Sequence, residues 1–79
     1  MVMKKPSKNM SHAIYVGGDP GNIDLIVGKV YRVVKPEKLD GASDVRVIDE
    51  SGEDYLYPRM WFVPIEVPRR VRQVLAAAG

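Results

Sequence analysis

The chain reads as an all-β domain: a small barrel of five short strands, with a single 3-10 turn before the last strand and a short C-terminal helix. Three observations predict this. Short segments rich in Val, Ile and Tyr recur along the chain, and β-branched and aromatic side chains suit a pleated, half-buried surface. Stretches dense in Gly, Pro, Asp and Asn separate those segments at close intervals. Only the stretch after Pro68 carries apolar residues at helical spacing. The 79 residues suffice for one domain, and a 46% hydrophobic content supplies one core. A chain of this size buries a little more than half of its unfolded surface, so modest stability is expected.

Residues 1–11 (MVMKKPSKNMS) are polar and basic without periodicity, and are expected to form a mobile leader. His12 to Val16 is the first strand. Gly17 to Asn22 is a loop, because Gly permits positive φ, Pro20 fixes φ, and Asp19 and Asn22 can bond the local backbone. Leu25 to Lys35 (LIVGKVYRVVK) is the second strand, with Gly28 marking a bend or bulge. A second loop covers Pro36 to Ser43. The alternation of Val45 and Val47 with Arg46 and Ile48 gives the third strand. Glu50-Ser51-Gly52 is a tight turn, and Glu53 to Tyr57 is its partner strand.

Pro58 lacks an N–H and ends that strand. Arg59-Met60-Trp61 forms the single turn. Phe62 to Val67 is the last strand, and Pro64 either places it at an edge or interrupts it. Pro68 suits the first position of a helix. Val71, Val74, Leu75 and Ala78 then form one apolar stripe. So short a helix is marginal alone, so the stripe is expected to bury against the barrel, a second copy or a partner. The boundaries are thus 1–11 leader, 12–67 barrel and 68–79 helix.

Composition excludes several function classes. There is no cysteine, hence no disulfide and no thiolate ligand or nucleophile, which suits a reducing compartment. No apolar stretch follows Lys4, Lys5 and Lys8 to make a signal peptide, and none approaches the ~18 residues of a membrane span. A cytoplasmic protein without a membrane partner is expected. Charge is divided along the chain. Residues 1–18 carry three lysines and residues 68–79 three arginines, with no acid in either, whereas residues 19–67 hold six basic and ten acidic side chains. The overall +2 therefore comes from the ends.

Catalytic and metal motifs are absent. His12 is the sole histidine, and no second and third group completes a triad around it. It is read as incidental, at the edge of the first strand. Asp49, Ser51 and Glu53 have the spacing of a calcium loop's start, but Asp54 stands where Gly is needed and Met60 where a bidentate Glu is needed. A solvated acidic turn is expected there. Gly17 to Asn22 lacks a following Gly-Lys-Ser/Thr, so it is no phosphate cradle. No enzyme, metal or cofactor is expected. Tyr55, Tyr57, Trp61 and Phe62 are four of only six aromatics. They make either a recognition surface or core; most of the cluster is expected inside, with Trp61 and one tyrosine exposed.

In order and pattern these segments resemble an SH3 domain. Ala13-Ile14-Tyr15 is similar to the start of the Ala-Leu-Tyr-Asp-Tyr segment. Gly28-Lys29-Val30-Tyr31-Arg32-Val33 resembles the Gly-Asp-x-Leu-x-Val strand after the long first (RT) loop. Pro36 to Ser43 sits at the n-Src loop, Glu50 to Gly52 at the distal hairpin. Pro58-Arg59-Met60-Trp61-Phe62 resembles the Pro-Ser-Asn-Tyr-Val turn and last strand. Gly-Lys-Val-Tyr followed by Asp-Glu-Ser-Gly-Glu-Asp-Tyr-Leu-Tyr-Pro also looks like small bacterial and phage SH3-like proteins, a likeness that implies a fold and little function. The resemblance spans about residues 13–67.

An SH3 fold implies a groove for Pro-rich peptides, walled by aromatics. The Trp that opens the strand after the n-Src loop is replaced by Ser43-Asp44-Val45, the second Tyr of the first segment is missing at Val16-Gly17, and the RT loop keeps only Asp19 and Asp24 as acids. Tyr15, Pro58 and Trp61 remain at groove positions. The first functional expectation is therefore a non-catalytic protein–protein interaction module for a protein or peptide partner, using Tyr15, Tyr55, Tyr57, Pro58 and Trp61. The alternative is nucleic-acid binding, as in barrels of the Tudor and KOW kinds, through Lys4, Lys5, Lys8, Arg69, Arg70 and Arg72. The acidic middle of the chain favours the first. A monomer or weak homodimer is expected.

Overall fold

The computed structural model describes residues 11–78. Its elements are β1 (His12–Tyr15), β2 (Val30–Val34), β3 (Asp44–Ile48), β4 (Asp54–Pro58), a 3-10 turn (Arg59–Trp61), β5 (Phe62–Ile65) and the helix α1 (Arg69–Ala78). The strands form one five-stranded sheet in the order β4-β3-β2-β1-β5, every neighbouring pair antiparallel. β2 changes partner along its length. Val30 to Arg32 pair with β1, while Val33 and Val34 pair with β3. The sheet thus has two halves, β2-β1-β5 and β2-β3-β4, and β4 and β5 are its unjoined edges. Pro64 sits on edge strand β5, where its missing N–H costs least.

Period-2 alternation explains the core. Ala13 and Tyr15 of β1, Tyr31 of β2, Val45 and Val47 of β3 and Phe62 of β5 point inward with Leu25 from the first loop. Tyr57 lies opposite Val45 and Tyr55 opposite Val47, so both tyrosines share the inward face of β4. Arg46 faces out. Its Nε and Nη2 bond both oxygens of Asp40 at 2.9 and 2.8 Å, and its Nη1 bonds Asp54 at 3.0 Å. This fork ties the 36–43 loop to the outer face of the β3–β4 pair.

One expectation is corrected. The second strand begins at Val30 rather than Leu25, because Gly28 takes φ +87° and the Lys29 N–H donates to the Ile26 carbonyl at 3.1 Å, closing a turn. Ile26 and Val27 are left exposed outside the ladder. The helical stripe, expected to bury against the barrel, a second copy or a partner, packs on the sheet of its own chain only in part. Leu75 is half-buried, but Val71 and Val74 remain 43% and 64% exposed, since only Leu75 finds a cleft on the outer sheet face beneath it. Among the described residues, no helix is long and apolar enough to cross a membrane.

Candidate functional site

The alternation of β1 aims Tyr15 inward, where it is 2% exposed. Pro58 ends β4 and redirects the chain into the 3-10 turn. Arg59 fastens that turn to β3: its N–H donates to the Ser43 carbonyl at 2.8 Å, and its guanidinium donates to the carbonyls of Ala42 and Asp44 at 3.1 and 3.2 Å. The Trp61 carbonyl accepts the Val16 N–H at 2.8 Å, tying the other side of the turn to the end of β1. Trp61 is therefore held between the two halves of the sheet.

Its ring lies edge-on to Tyr15, with centroids 6.2 Å apart and planes at 64°, and 6.0 Å from Tyr57. Phe62 closes the group from below, 5.5 Å from Tyr15 and 6.1 Å from Tyr57. Such tilted and edge contacts are the favoured aromatic arrangement. Gly18 makes the seat. It adopts φ +151°, and a Cβ there would overlap the indole. Only a glycine lets Trp61 lie against this backbone.

The structure brings Tyr15, Tyr57, Pro58 and Trp61 together and leaves Tyr55 apart. Tyr55 shares the face of Tyr57 but sits nearer the hairpin, 48% exposed, its hydroxyl donating to Glu53 at 3.3 Å. Of the Tyr55, Tyr57, Trp61 and Phe62 cluster, only Phe62 is buried in the core; Tyr57 and Trp61 are half-buried against it, and Tyr55 is exposed.

The acidic turn is not wholly solvated, which corrects the reading of Asp49. Asp49 is buried and accepts three hydrogen bonds: from the Tyr57 hydroxyl and the Ser51 hydroxyl, both at 2.5 Å, and from the Ser51 N–H at 2.9 Å. Burial pushes its carboxyl up, but these bonds outweigh burial and hold it below the ordinary carboxylate value. Burial first, and then the Asp49 bond, push the Tyr57 phenol well up. Glu50 is likewise engaged, accepting from Lys29 Nζ and from the Tyr31 hydroxyl, each at 2.6 Å. Tyr31 also accepts the Ile26 N–H at 2.8 Å, and its phenol is pushed up to about 12, chiefly by burial.

The loop between β1 and β2 is bonded to itself around the site. The Gly21 N–H donates to Asp19 Oδ1 at 3.1 Å, the Asp24 N–H to Asn22 Oδ1 at 2.7 Å, and the Asp19 N–H to the Tyr15 hydroxyl at 3.3 Å. Chemically the site offers a half-exposed indole, a tyrosine and a proline beside a loop bearing Asp19 and Asp24. Among the described residues, no group of three His, Cys, Asp or Glu side chains is placed to hold a metal ion.

Sequence reasoning missed Gly18, for which the Gly17-Gly18 pair was the only signal, and the burial of Asp49. It also placed His12 as incidental. His12 is 4% exposed and lines the cleft that receives Leu75. Of the basic residues, Arg69, Arg70 and Arg72 are exposed on the first turn of α1, while Lys4, Lys5 and Lys8 lie outside the described residues. No protein-family model, curated protein or solved structure matches the chain.

Proposed function

We propose that this chain is an SH3-like protein–protein interaction module that receives an extended peptide segment on the surface of Tyr15, Tyr57, Pro58 and Trp61. The observation that carries the reading is the seating of Trp61. The chain's sole tryptophan is braced by Tyr15, Tyr57 and the Gly18 backbone, yet keeps part of its indole in solvent. A rigid, partly exposed aromatic gives large contact area at small entropic cost, which is the character of a binding anchor. The sharing of β2 between two half-sheets and the 3-10 turn before β5 support the small-barrel reading behind it. Asp19 and Asp24 form the rim, and Tyr55 extends the surface along β4.

The test is selection of a displayed random-peptide library on the isotope-labelled chain, followed by NMR titration with the selected peptides. The expected footprint is the Trp61 indole N–H together with the Gly17 and Gly18 amides. Trp61→Phe, which preserves an aromatic filler, should weaken binding, and Trp61→Ala should weaken it by about 30-fold or more if it is an anchor. A melt of each variant separates lost binding from lost fold. Failure to enrich any peptide, or a footprint elsewhere, removes the reading. An oligonucleotide that instead shifts the Arg69, Arg70 and Arg72 amides, with steep salt dependence, would replace it with nucleic-acid binding.

A further inference from the structure

The two unjoined edges of the sheet differ in what their backbones offer. Opposed residues of antiparallel strands alternate between pairs that exchange hydrogen bonds and pairs that do not. Beside β5 the Val16 N–H donates to the Trp61 carbonyl, so Val16 and Trp61 are an exchanging pair. Ile14 with Val63 and His12 with Ile65 follow in the same phase. Phe62 and Pro64 therefore turn their backbones outward. The Phe62 N–H donates to the Arg59 carbonyl, and Pro64 has no N–H, so neither offers a donor at this edge.

The edge of β4 is open. The Asp49 N–H donates to the Glu53 carbonyl at 3.2 Å, and the Arg59 N–H to the Ser43 carbonyl at 2.8 Å. These bonds frame the β3–β4 pair and set its phase: Tyr55 and Tyr57 exchange bonds with β3, while Asp54 and Leu56 turn theirs outward. Side chains repeat the pattern. Leu56 is 40% exposed and Tyr55 48%. The strand is also polar in charge, with Glu53 and Asp54 at its start and Arg59 just past its end. Asp54 is matched by Arg46. Among the described residues, Glu53 and Arg59 make no ion pair. Arg59 uses Nε and Nη2 on the Ala42 and Asp44 carbonyls. Glu53 and Arg59 are equally spaced about Leu56.

We infer that β4 pairs antiparallel with β4 of a second copy of this chain, about a two-fold axis through Leu56. Leu56 of each copy then exchanges N–H and carbonyl with Leu56 of the other, and the Asp54 N–H reaches the other copy's Pro58 carbonyl. Glu53 of each copy meets the Arg59 end of the other, and the two Leu56 side chains cover one another on the outer face. A foreign strand would have to match this charge order, whereas a second copy supplies it by symmetry. An interface of one short strand is small, so the dimer is weak. It uses the backbone edge of β4 and does not rest on the peptide reading.

Sedimentation equilibrium of the full chain, across about a hundredfold range of concentration, should show the average mass rising from one chain toward two. In amide exchange followed by NMR, Leu56 should exchange faster than Tyr55 and Tyr57 in dilute samples and gain protection as concentration rises. Leu56→Lys opposes like charges at the axis and should weaken dimerisation about tenfold or more. Glu53→Arg and Arg59→Glu should each lose self-association, while their equimolar mixture should associate, because each mixed contact regains opposite charges. A melt reports whether each variant folds. Arg59 also fastens the 3-10 turn, so if Arg59→Glu unfolds, the comparison of Leu56→Lys with the parent carries the test. A mass that stays at one chain overturns the inference. So does a dimer whose Leu56 amide gains no protection, one whose footprint lies on Val71 and Val74 of α1, or one that Leu56→Lys forms as tightly as the parent. A library peptide that protects Leu56 while the chain stays monomeric would put a foreign strand there and overturn the second copy. The Gly17 and Gly18 amides should not shift on dimerisation, which separates this result from peptide binding at Trp61.

Discussion

Replacing Asp49 with alanine puts the largest demand on the reading of the hairpin. The carboxylate is buried and holds the Tyr57 hydroxyl, the Ser51 hydroxyl and the Ser51 N–H. Ser51 is exposed, so its two donors can turn to water at small cost. The Tyr57 hydroxyl is the expensive one. It lies half-buried above the core, and stranding a donor there costs about 1–3 kcal/mol, with about 1 kcal/mol more for the lost turn bonds. A total of about 2–4 kcal/mol corresponds to a fall of roughly 10–25 °C in melting temperature for a domain of this length. Asp49→Asn keeps an acceptor of the same shape and should lose only about 1 kcal/mol, the charge-assisted part of the bonds.

The same carboxylate predicts a pH dependence. Its folded pKa lies below the ordinary 3.8, so its contribution is fully present above pH 3.8 and is lost as pH falls through the lower folded value. Stability of the parent should therefore drop on acidification through that window, and Asp49→Asn should flatten this part of the profile. Thermal melts by circular dichroism between pH 2 and 7 measure both effects. A third variant isolates the cause. If stranding of Tyr57 dominates, Tyr57→Phe in the Asp49→Ala background should recover part of the loss, because the orphaned donor is removed. Asp49→Ala melting with the parent, or a double variant less stable than Asp49→Ala, would refute the argument.

Two further outcomes follow from the loops. Gly18→Ala places a Cβ against the indole at a positive φ that alanine disfavours, so it should cost about 1–3 kcal/mol and red-shift the fluorescence of the sole tryptophan; an unchanged spectrum would dissociate Trp61 from this seat. Arg46→Gln should release Asp40, whose carboxyl the Arg46 side chain, with help from the Glu37 N–H, holds at about 2. NMR titration should then find Asp40 nearer 3.8, with faster amide exchange at Glu37, and an unmoved Asp40 would show that the fork does not organise the 36–43 loop.

Much of the fold was legible because it rests on local rules. Alternation marked β3, where Val45 and Val47 face in and Arg46 faces out. Gly52 closes the β3–β4 turn at φ +87°, Pro58 ends β4, and Pro64 lies on an edge strand. The second strand was overread because an apolar run has no period to show where pairing starts. Ile26 and Val27 look like strand residues, and only the turn at Gly28 removes them from the ladder. The stripe of α1 was legible as a stripe, but its burial depends on what lies beneath it, which a helical period does not encode.

The candidate site was legible in part for the same reason. Tyr15, Tyr57, Pro58 and Trp61 could be named, because the proline and the aromatics after the hairpin stand in a recognisable order. The sequence by itself determined which strands exist, where most of the turns between them fall, and that its aromatic mass is concentrated around the start of the last strand. Those properties follow from backbone preferences and side-chain periodicity over a few residues. Only the tertiary structure decided that Tyr55 stands apart, that Gly18 seats the tryptophan, that Asp49 is buried beneath Tyr57, and that His12 and Arg32 face one cleft. Each of these joins residues from different strands or loops, and their partners are set by strand register and by how the two halves of the sheet meet along β2.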